Sequence, residues 1–224
     1  MSNLRDAIVR MALRRPYLYL LVTLVISIVL MEVLVEIAEH TFIKPALQQL
    51  ELQFIAYVQQ FVPPPLTAEV MLVTASGSST FYLLASALVC CWYLYSRQKD
   101  RLYLYLVCLC GGGILNQVLK RIFERVRPDI FPVIAESGYS FPSGHAMGAI
   151  CFYGILAYFA GLGLRSKPLR WGLMAAAGIY ILLIGLSRVY LGVHYPTDIL
   201  AGYAAGATWL FFCITLHRIF RKRY

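Results

Sequence analysis

The sequence predicts an all-α membrane protein, a bundle of six transmembrane helices formed as a single domain over residues 1–224. Of these residues 60% are hydrophobic and only 14% are charged, and the mean hydropathy is +0.68. Soluble domains carry about 25% charged residues, so this chain has more apolar side chains than one water-soluble core can bury. Six apolar stretches also approach the ~20 residues that a helix needs to cross ~30 Å of hydrocarbon.

The predicted spans follow one another with short connections, which leaves no room for a separate soluble domain. They cover residues 17–35, 71–93, 102–119, 145–164, 171–191 and 199–216. The first span follows a basic segment, as in a secretory signal, but it is long and acidic residues follow it, so it is interpreted as a signal anchor. Between the first two spans, apolar residues at three- and four-residue spacing predict an amphipathic helix over about 45–62 that lies along the outer interface or caps the bundle.

Basic residues set the predicted orientation, because Lys and Arg resist translocation. Most of the 20 Lys and Arg residues fall in the N-terminal segment, the turns at 97–101 and 165–170, and the C-terminal tail. Both termini are therefore predicted to be cytoplasmic and the 120–144 loop extracytoplasmic, in a membrane that we take to be a bacterial inner membrane. The net charge of +9 is interpreted as this orientation signal and not as a nucleic-acid surface.

Three polar stretches, 120–128, 142–145 and 187–198, lie at the outer ends of the last four spans, where a purely structural bundle would avoid charge. They supply three cations, two histidines, one carboxylate and a Ser-Gly pair at a predicted helix start. The eight residues are Lys120, Arg127, Arg188, His145, His194, Asp198, Ser143 and Gly144. Guanidinium groups bind phosphate oxygens in pairs, and a helix N-terminus favours an anion, so this set predicts a phosphate site.

Two histidines and a carboxylate allow a division of catalytic labour. One neutral imidazole can attack phosphorus and form a phosphohistidine, while a second, protonated imidazole donates to the departing alkoxide. Asp198 follows His194 by four residues, a spacing that brings its carboxylate to the ring N–H if the last helix begins between them. The chain has no carboxylate cluster and no cysteine spacing typical of zinc, so we expect neither a metal nor another cofactor.

The order and spacing of these residues resemble the three-part signature of the type 2 phosphatidic acid phosphatase family. The matching parts are Lys120, six residues, Arg127-Pro128; Pro142-Ser143-Gly144-His145; and Ser187-Arg188, five residues, His194, three residues, Asp198. The signature covers 120–198, and the six-span layout extends the likeness to nearly the whole chain. The resemblance implies a metal-independent phosphatase acting at the outer face on a lipid phosphomonoester or pyrophosphate: phosphatidylglycerophosphate, phosphatidic acid or undecaprenyl pyrophosphate.

The resemblance also implies a role for each residue. His194 would be the nucleophile, Asp198 its orienting partner, and His145 the acid for the leaving group and later the base for water. The implied phosphate-binding residues are Lys120, Arg127, Ser143, Gly144 and Arg188. The alternative is a non-catalytic binder or transporter of phosphate lipids. Expected partners are the lipid substrate and membrane lipids, without nucleic acid, and the oligomeric state stays open.

Five other charged residues in this region receive no role in the predicted site. Arg121, Glu124 and Arg125 are interpreted as contacts of a helix face or of lipid headgroups. Asp129 and Glu136 could shape access to the site, but solvated loop charge is the default interpretation.

Overall fold

The computed structural model describes residues 16–43, 45–61, 64–129 and 132–221, and these ranges are helical and contain no β-strand. The basic N-terminal segment, on which the signal-anchor interpretation partly rests, lies outside them. The eight helices of the described ranges are α1 (Pro16–Ile43), α2 (Pro45–Gln60), α3 (Pro64–Ala75), α4 (Ser79–Tyr95), α5 (Lys99–Phe123), α6 (Gly144–Gly163), α7 (Lys167–Tyr190) and α8 (Pro196–Arg221).

Within the described residues, α1, α5, α6, α7 and α8 are each long and apolar enough to cross a membrane. The predicted span 71–93 differs, because it is broken into α3 and α4, which meet at 55°. The hydroxyl of Ser78 accepts a hydrogen bond from the backbone N–H of Phe81 at 3.1 Å and so caps the start of α4. Hydropathy detects apolar length but not this turn. By length and composition, the described residues provide six candidate spans if the bent pair counts as one.

The predicted amphipathic helix forms as α2. One face is buried against the end of α7 and the start of α8, where Ile55 is fully buried with Val189 and Tyr195. The other face exposes apolar side chains, including Leu50 and Phe54. The helix therefore covers the bundle where α7 ends and α8 begins.

Helix α6 is the centre of the bundle, in contact with α5, α7 and α8. Its crossing with α8 is close: a methyl group added at Gly202 would lie 2.7 Å from the carbonyl oxygen of Ser143, and one at Gly206 would lie 3.0 Å from that of Met147. Only glycine allows this approach. The backbone N–H of Ser143 also donates to the carbonyl oxygen of Asp198 at 2.9 Å. The second and third signature segments are thereby held side by side.

The largest apolar core lies between α4, α5 and α6. Tyr105 and Cys108 are fully buried there, and the rings of Tyr82 and Phe152 pack with their centroids 5.0 Å apart. This packing fixes the helices that carry the polar residues relative to one another.

Candidate active site

A cavity of about 660 Å³ opens between α4, α5 and the start of α6. At its polar end it is lined by five of the eight predicted site residues: Lys120, Arg127, Gly144, His145 and His194. The other three, Ser143, Arg188 and Asp198, are buried behind that lining. The structure thus brings all eight predicted residues to one end of one cavity.

His194 and Asp198 lie on the turn from α7 into α8. Gly192, with φ of +71°, reverses the chain after α7, and Pro196 begins α8 with Asp198 in its first turn. His194 Nδ1 lies 3.3 Å from Asp198 Oδ2, which also accepts the backbone N–H of Tyr195 at 2.9 Å. Because an ionised carboxylate only accepts, the ring proton belongs on Nδ1 and Nε2 carries the lone pair.

The His194 side chain is only 2% exposed. Burial lowers its pKa to about 4, because the imidazolium loses its hydration. Asp198 raises this pKa and the charges of Arg127 and Arg188 lower it, and burial is the largest effect. His194 is therefore neutral at pH 7, which is the state that a nucleophile requires.

The guanidinium of Arg127 lies at the free nitrogen of His194. Its NH1 group donates to His194 Nε2 at 3.1 Å and to the carbonyl oxygen of Val193 at 2.9 Å. Its other donors bind the carbonyl oxygens of Gly138 at 3.0 Å and Ser137 at 3.1 Å. The 124–143 loop thus holds a positive charge beside the atom that would attack phosphorus.

Arg188 is covered by a carboxylate that lines the cavity. The arginine is 1% exposed, with NH1 donating to Thr74 Oγ1 at 2.8 Å and NH2 to Glu136 Oε1. Its Nε is buried and has no hydrogen-bond partner in the described part of the chain. The second Glu136 oxygen lies 3.5 Å from Arg127 NH2. Glu136 therefore separates Arg188 from the cavity, and the solvated-charge interpretation was wrong for this residue.

Glu136 stays ionised in this position. Partial burial raises the pKa of its carboxyl, but the charges of Arg188 and Arg127 and the hydrogen bond from Arg188 outweigh burial and lower the pKa overall. In the free protein the Glu136 carboxylate is thus paired with Arg188 and Arg127, the two arginines that are expected to bind phosphate.

The start of α6 and the end of α5 complete the polar end. Ser143 is the N-cap of α6, and its hydroxyl accepts the backbone N–H of Ala146 at 3.4 Å. Gly144, the first residue of the helix, faces the cavity with the free N–H groups of the first turn nearby. Lys120, in the last turn of α5, donates to the carbonyl oxygen of Tyr139.

His145 also lines this end of the cavity, and the break between α3 and α4 packs against it. A methyl group at Gly77 would lie 3.0 Å from Cδ2 of its ring. The bend that replaces the predicted straight span therefore helps to place one of the two predicted catalytic histidines.

The cavity continues from the polar end as a groove between α4 and α5 that the sequence interpretation missed. We call this part the apolar groove; its residues include Leu83, Ala87, Cys90, Leu106, Leu109 and Cys110. With a rise of ~1.5 Å per helical residue, Leu106 lies about 20 Å from Lys120 along α5. Whether a residue lines the apolar groove depends on which face of its helix turns inward. The apolar composition of these spans does not indicate that face.

In the described ranges, no three His, Cys, Asp or Glu side chains are grouped as metal ligands would be. The polar end of the cavity instead carries two cations and two histidines beside the single carboxylate of Glu136, and this excess of positive charge suits an anion.

Comparison with known proteins gives the family. Residues 101–222, more than half of the chain, match the PAP2 superfamily. The chain belongs to the PAP2 superfamily. The resemblance drawn from the three-part signature is thereby confirmed, and this PAP2 chain is an integral membrane protein and a phosphoric monoester hydrolase.

Individual relatives are named as phosphatases, and one solved structure has the same fold. Phosphatidylglycerophosphatase B of Bacillus subtilis is 40% identical over 144 residues, which cover 63% of this chain and 70% of the relative. The undecaprenyl-diphosphatase of Sulfolobus acidocaldarius is 33% identical over 111 residues, 48% of each chain. The crystal structure of a transmembrane PAP2-type phosphatidylglycerolphosphate phosphatase from Bacillus subtilis matches with a TM-score of 0.79 at 31% identity, over 88% of this chain and 96% of that one.

One further residue beside the PAP2 signature was misjudged from the sequence. Arg125 is 8% exposed and contacts Asp198 at 2.5 Å and Glu51 at 2.6 Å. The interpretation of Arg125 as a surface contact was therefore wrong. Its partners lie 73 and 74 positions away, so no local pattern indicates the pairing.

Proposed function

We propose that this PAP2 phosphatase hydrolyses a phosphomonoester or pyrophosphate of a membrane lipid, with His194 as the nucleophile. One observation carries the proposal: the cavity that holds His194, His145 and the cations continues as the apolar groove. A lipid phosphate has a charged head and an apolar chain, and it matches both parts at once.

In the first step the Nε2 lone pair of His194 attacks phosphorus while the bond from phosphorus to the lipid oxygen breaks. The Nδ1–H bond to Asp198 orients the ring and stabilises the positive charge that develops on it. His145 donates a proton to the departing oxygen, so the lipid leaves as an alcohol, or as a monophosphate where the substrate is a pyrophosphate.

In the second step water attacks the phosphorus of the phosphohistidine. His145, deprotonated by the first step, accepts the proton of that water. The phosphorus–nitrogen bond breaks, the electron pair returns to Nε2 of His194, and inorganic phosphate is released. Both histidines are then in their starting states.

Lys120, Arg127 and Arg188 would stabilise the charge that spreads over the phosphate oxygens in each transition state. Two contacts in the free site must change for this to happen. Arg127 must turn from His194 Nε2 to a phosphate oxygen, which frees the attacking lone pair. Glu136 must leave Arg188 before phosphate can reach it.

Among the candidate substrates, phosphatidylglycerophosphate is favoured. The relative at 40% identity and the solved structure with a TM-score of 0.79 are both named for that activity. Phosphatidic acid and undecaprenyl pyrophosphate present the same phosphate group to the same residues and are the other members of the substrate class.

The sidedness of the reaction is part of the proposal. The distribution of Lys and Arg supports cytoplasmic termini and an extracytoplasmic site in a bacterial inner membrane. Labelling of Ser137→Cys, in the loop beside Arg127, by a membrane-impermeant thiol reagent in intact cells tests this. Labelling only after permeabilisation would place the site on the other side.

Phosphate release tests the function itself. The full-length protein in detergent, without divalent cations, is given each of the three lipid phosphates, and we expect release on at least one. His194→Ala should abolish release, while the matched control His217→Ala, near the far end of α8, should retain it. If wild type releases no phosphate while it still binds the lipids, the protein is a binder or transporter.

A further inference from the structure

Glu51 is a buried carboxylate on α2, a helix outside the PAP2 signature. It is 4% exposed, although the same helix exposes a row of apolar side chains on its other face. Both of its oxygens are bound: Oε2 accepts from Arg125 NH2 at 2.6 Å, and Oε1 accepts from the hydroxyl and backbone N–H of Thr197 at 2.6 and 3.0 Å. A carboxylate taken out of water is costly unless it is paired in this way, so its position calls for a role.

Arg125 joins Glu51 to the predicted catalytic carboxylate. Its NH2 group binds Glu51, and its NH1 group donates to Asp198 Oδ1 at 2.5 Å and to Thr197 Oγ1 at 2.8 Å. The guanidinium carbon also lies 3.8 Å from the centre of the Tyr195 ring. The arginine is therefore held by charge on two sides and by an aromatic face on a third.

The two carboxylate oxygens of Asp198 bind different partners. Oδ2 faces His194 and the backbone of Tyr195, whereas Oδ1 faces Arg125. Without Arg125, Oδ1 would lose its ionic partner at a site that is 0% exposed. The carboxylate could then rotate away from the histidine ring, and nothing on the α2 side would hold it.

Neither Glu51 nor Arg125 is among the described residues that line the cavity. They do not contact a phosphate bound there, and the bond from Arg125 to Asp198 is the contact that leads directly to His194. Helix α2 also contacts the turn between α7 and α8 through a second residue, because Gln48 donates to the Tyr195 hydroxyl at 3.1 Å.

We propose that Glu51 and Arg125 are positioning residues: Glu51 orients Arg125, and Arg125 fixes Asp198 in the rotamer that holds the Nδ1–H of His194. This rests on the proposed function of the His194–Asp198 pair. It also makes α2 part of the catalytic unit, although that helix ends at Gln60, sixty residues before Lys120, the first signature residue.

The test compares kcat with phosphate binding in the full-length protein in detergent. Glu51→Gln removes one charge at constant shape, and Arg125→Lys keeps the charge but replaces the planar fork, whose NH1 and NH2 groups bind Asp198 and Glu51 separately, by one compact ammonium. We expect each to lower kcat by about tenfold or more, as for the loss of a hydrogen bond between charged groups. The inhibition constant of inorganic phosphate should change by less than about twofold, because the cavity lining is intact. The exposed Glu69→Gln and Arg121→Lys are matched controls and should keep the wild-type kcat.

A double-mutant cycle with Asp198→Asn identifies the route of the effect. In that background Glu51→Gln should cost less than about twofold in residual activity, because its effect acts through Asp198. Three results would each overturn the proposal: full additivity with Asp198→Asn, wild-type kcat in both single variants, or loss of phosphate binding in parallel with kcat. Parallel loss of phosphate binding and kcat would indicate a merely structural role. These results are distinct from failure of the proposed function, in which His194→Ala itself retains turnover.

Discussion

Replacement of Glu136 by glutamine should tighten phosphate binding. The carboxylate of Glu136 binds Arg188 and lies 3.5 Å from Arg127, so in the free protein it competes with phosphate for both arginines. Glutamine has nearly the same shape but no charge, and phosphate would displace it more easily. Because the arginines lower the pKa of Glu136, the competing carboxylate is ionised across the neutral range and the effect should vary little there.

The size of the effect follows from the contacts. Opposite unit charges 3.5 Å apart attract by roughly 5 kcal/mol at an effective dielectric constant of about 20. The Glu136 side chain is 30% exposed, so water screens much of this attraction. A hydrogen bond between charged groups contributes about 1.5 to 3 kcal/mol net, and the exposure favours the lower end. A change of about 1.5 kcal/mol is close to tenfold in a binding constant.

The assay is competitive inhibition by inorganic phosphate of the hydrolysis of a phosphomonoester by the full-length protein in detergent. Glu136→Gln should lower the inhibition constant of inorganic phosphate about tenfold, and it should also lower the KM of the phosphomonoester. Asp129→Asn is the matched control, an exposed carboxylate of the same loop, and should leave both constants unchanged. An inhibition constant for Glu136→Gln that is unchanged or higher would refute the view that Glu136 obstructs the phosphate site.

Three other predictions test the acid–base chemistry, the packing and the groove. The low pKa of His194, about 4, places the fall in kcat/KM that protonation of the nucleophile causes near pH 4 and not near the ordinary 6.5; an acid limb near 6.5 would contradict this. Gly202→Ala should lower the free energy of unfolding in detergent by about 1–3 kcal/mol, because its methyl would meet the Ser143 carbonyl. Gly178→Ala, whose methyl meets no packed neighbour within 4 Å, should not lower it; equal melting points for the two variants would argue against the close crossing. Gly113→Leu fills open space in the cavity lining. It should reduce the hydrolysis of a long-chain lipid phosphate at least about tenfold more than the hydrolysis of a short water-soluble phosphomonoester. An equal loss on both substrates would speak against binding of the lipid chain in the apolar groove.

The membrane class and the eight signature residues could be predicted because they rest on local signals. Hydropathy over ~20 residues detects a span, and the i, i+4 spacing of His194 and Asp198 fixes their contact once Pro196 starts a helix. The break between α3 and α4 escaped this reasoning, since apolar composition measures the length of a span and not its direction.

The contacts that complete the site could not be predicted, because they depend on distant partners. Glu136 reaches Arg188 across 52 positions, and Glu51 reaches Arg125 across 74. In the sequence these are ordinary charges beside a loop or on an amphipathic helix, for which solvent contact is the usual outcome. Only the packing of α2 and of the 124–143 loop against the bundle shows that these charges are paired.

Trapping of the phosphoenzyme tests the central claim most directly. The full-length protein is mixed with its lipid phosphate, stopped in alkali within a single turnover, digested, and mapped by mass spectrometry. We predict an alkali-stable, acid-labile phosphate on His194 that is absent from His194→Ala. Phosphate on a different residue, or turnover of His194→Ala at the wild-type rate, would contradict the account.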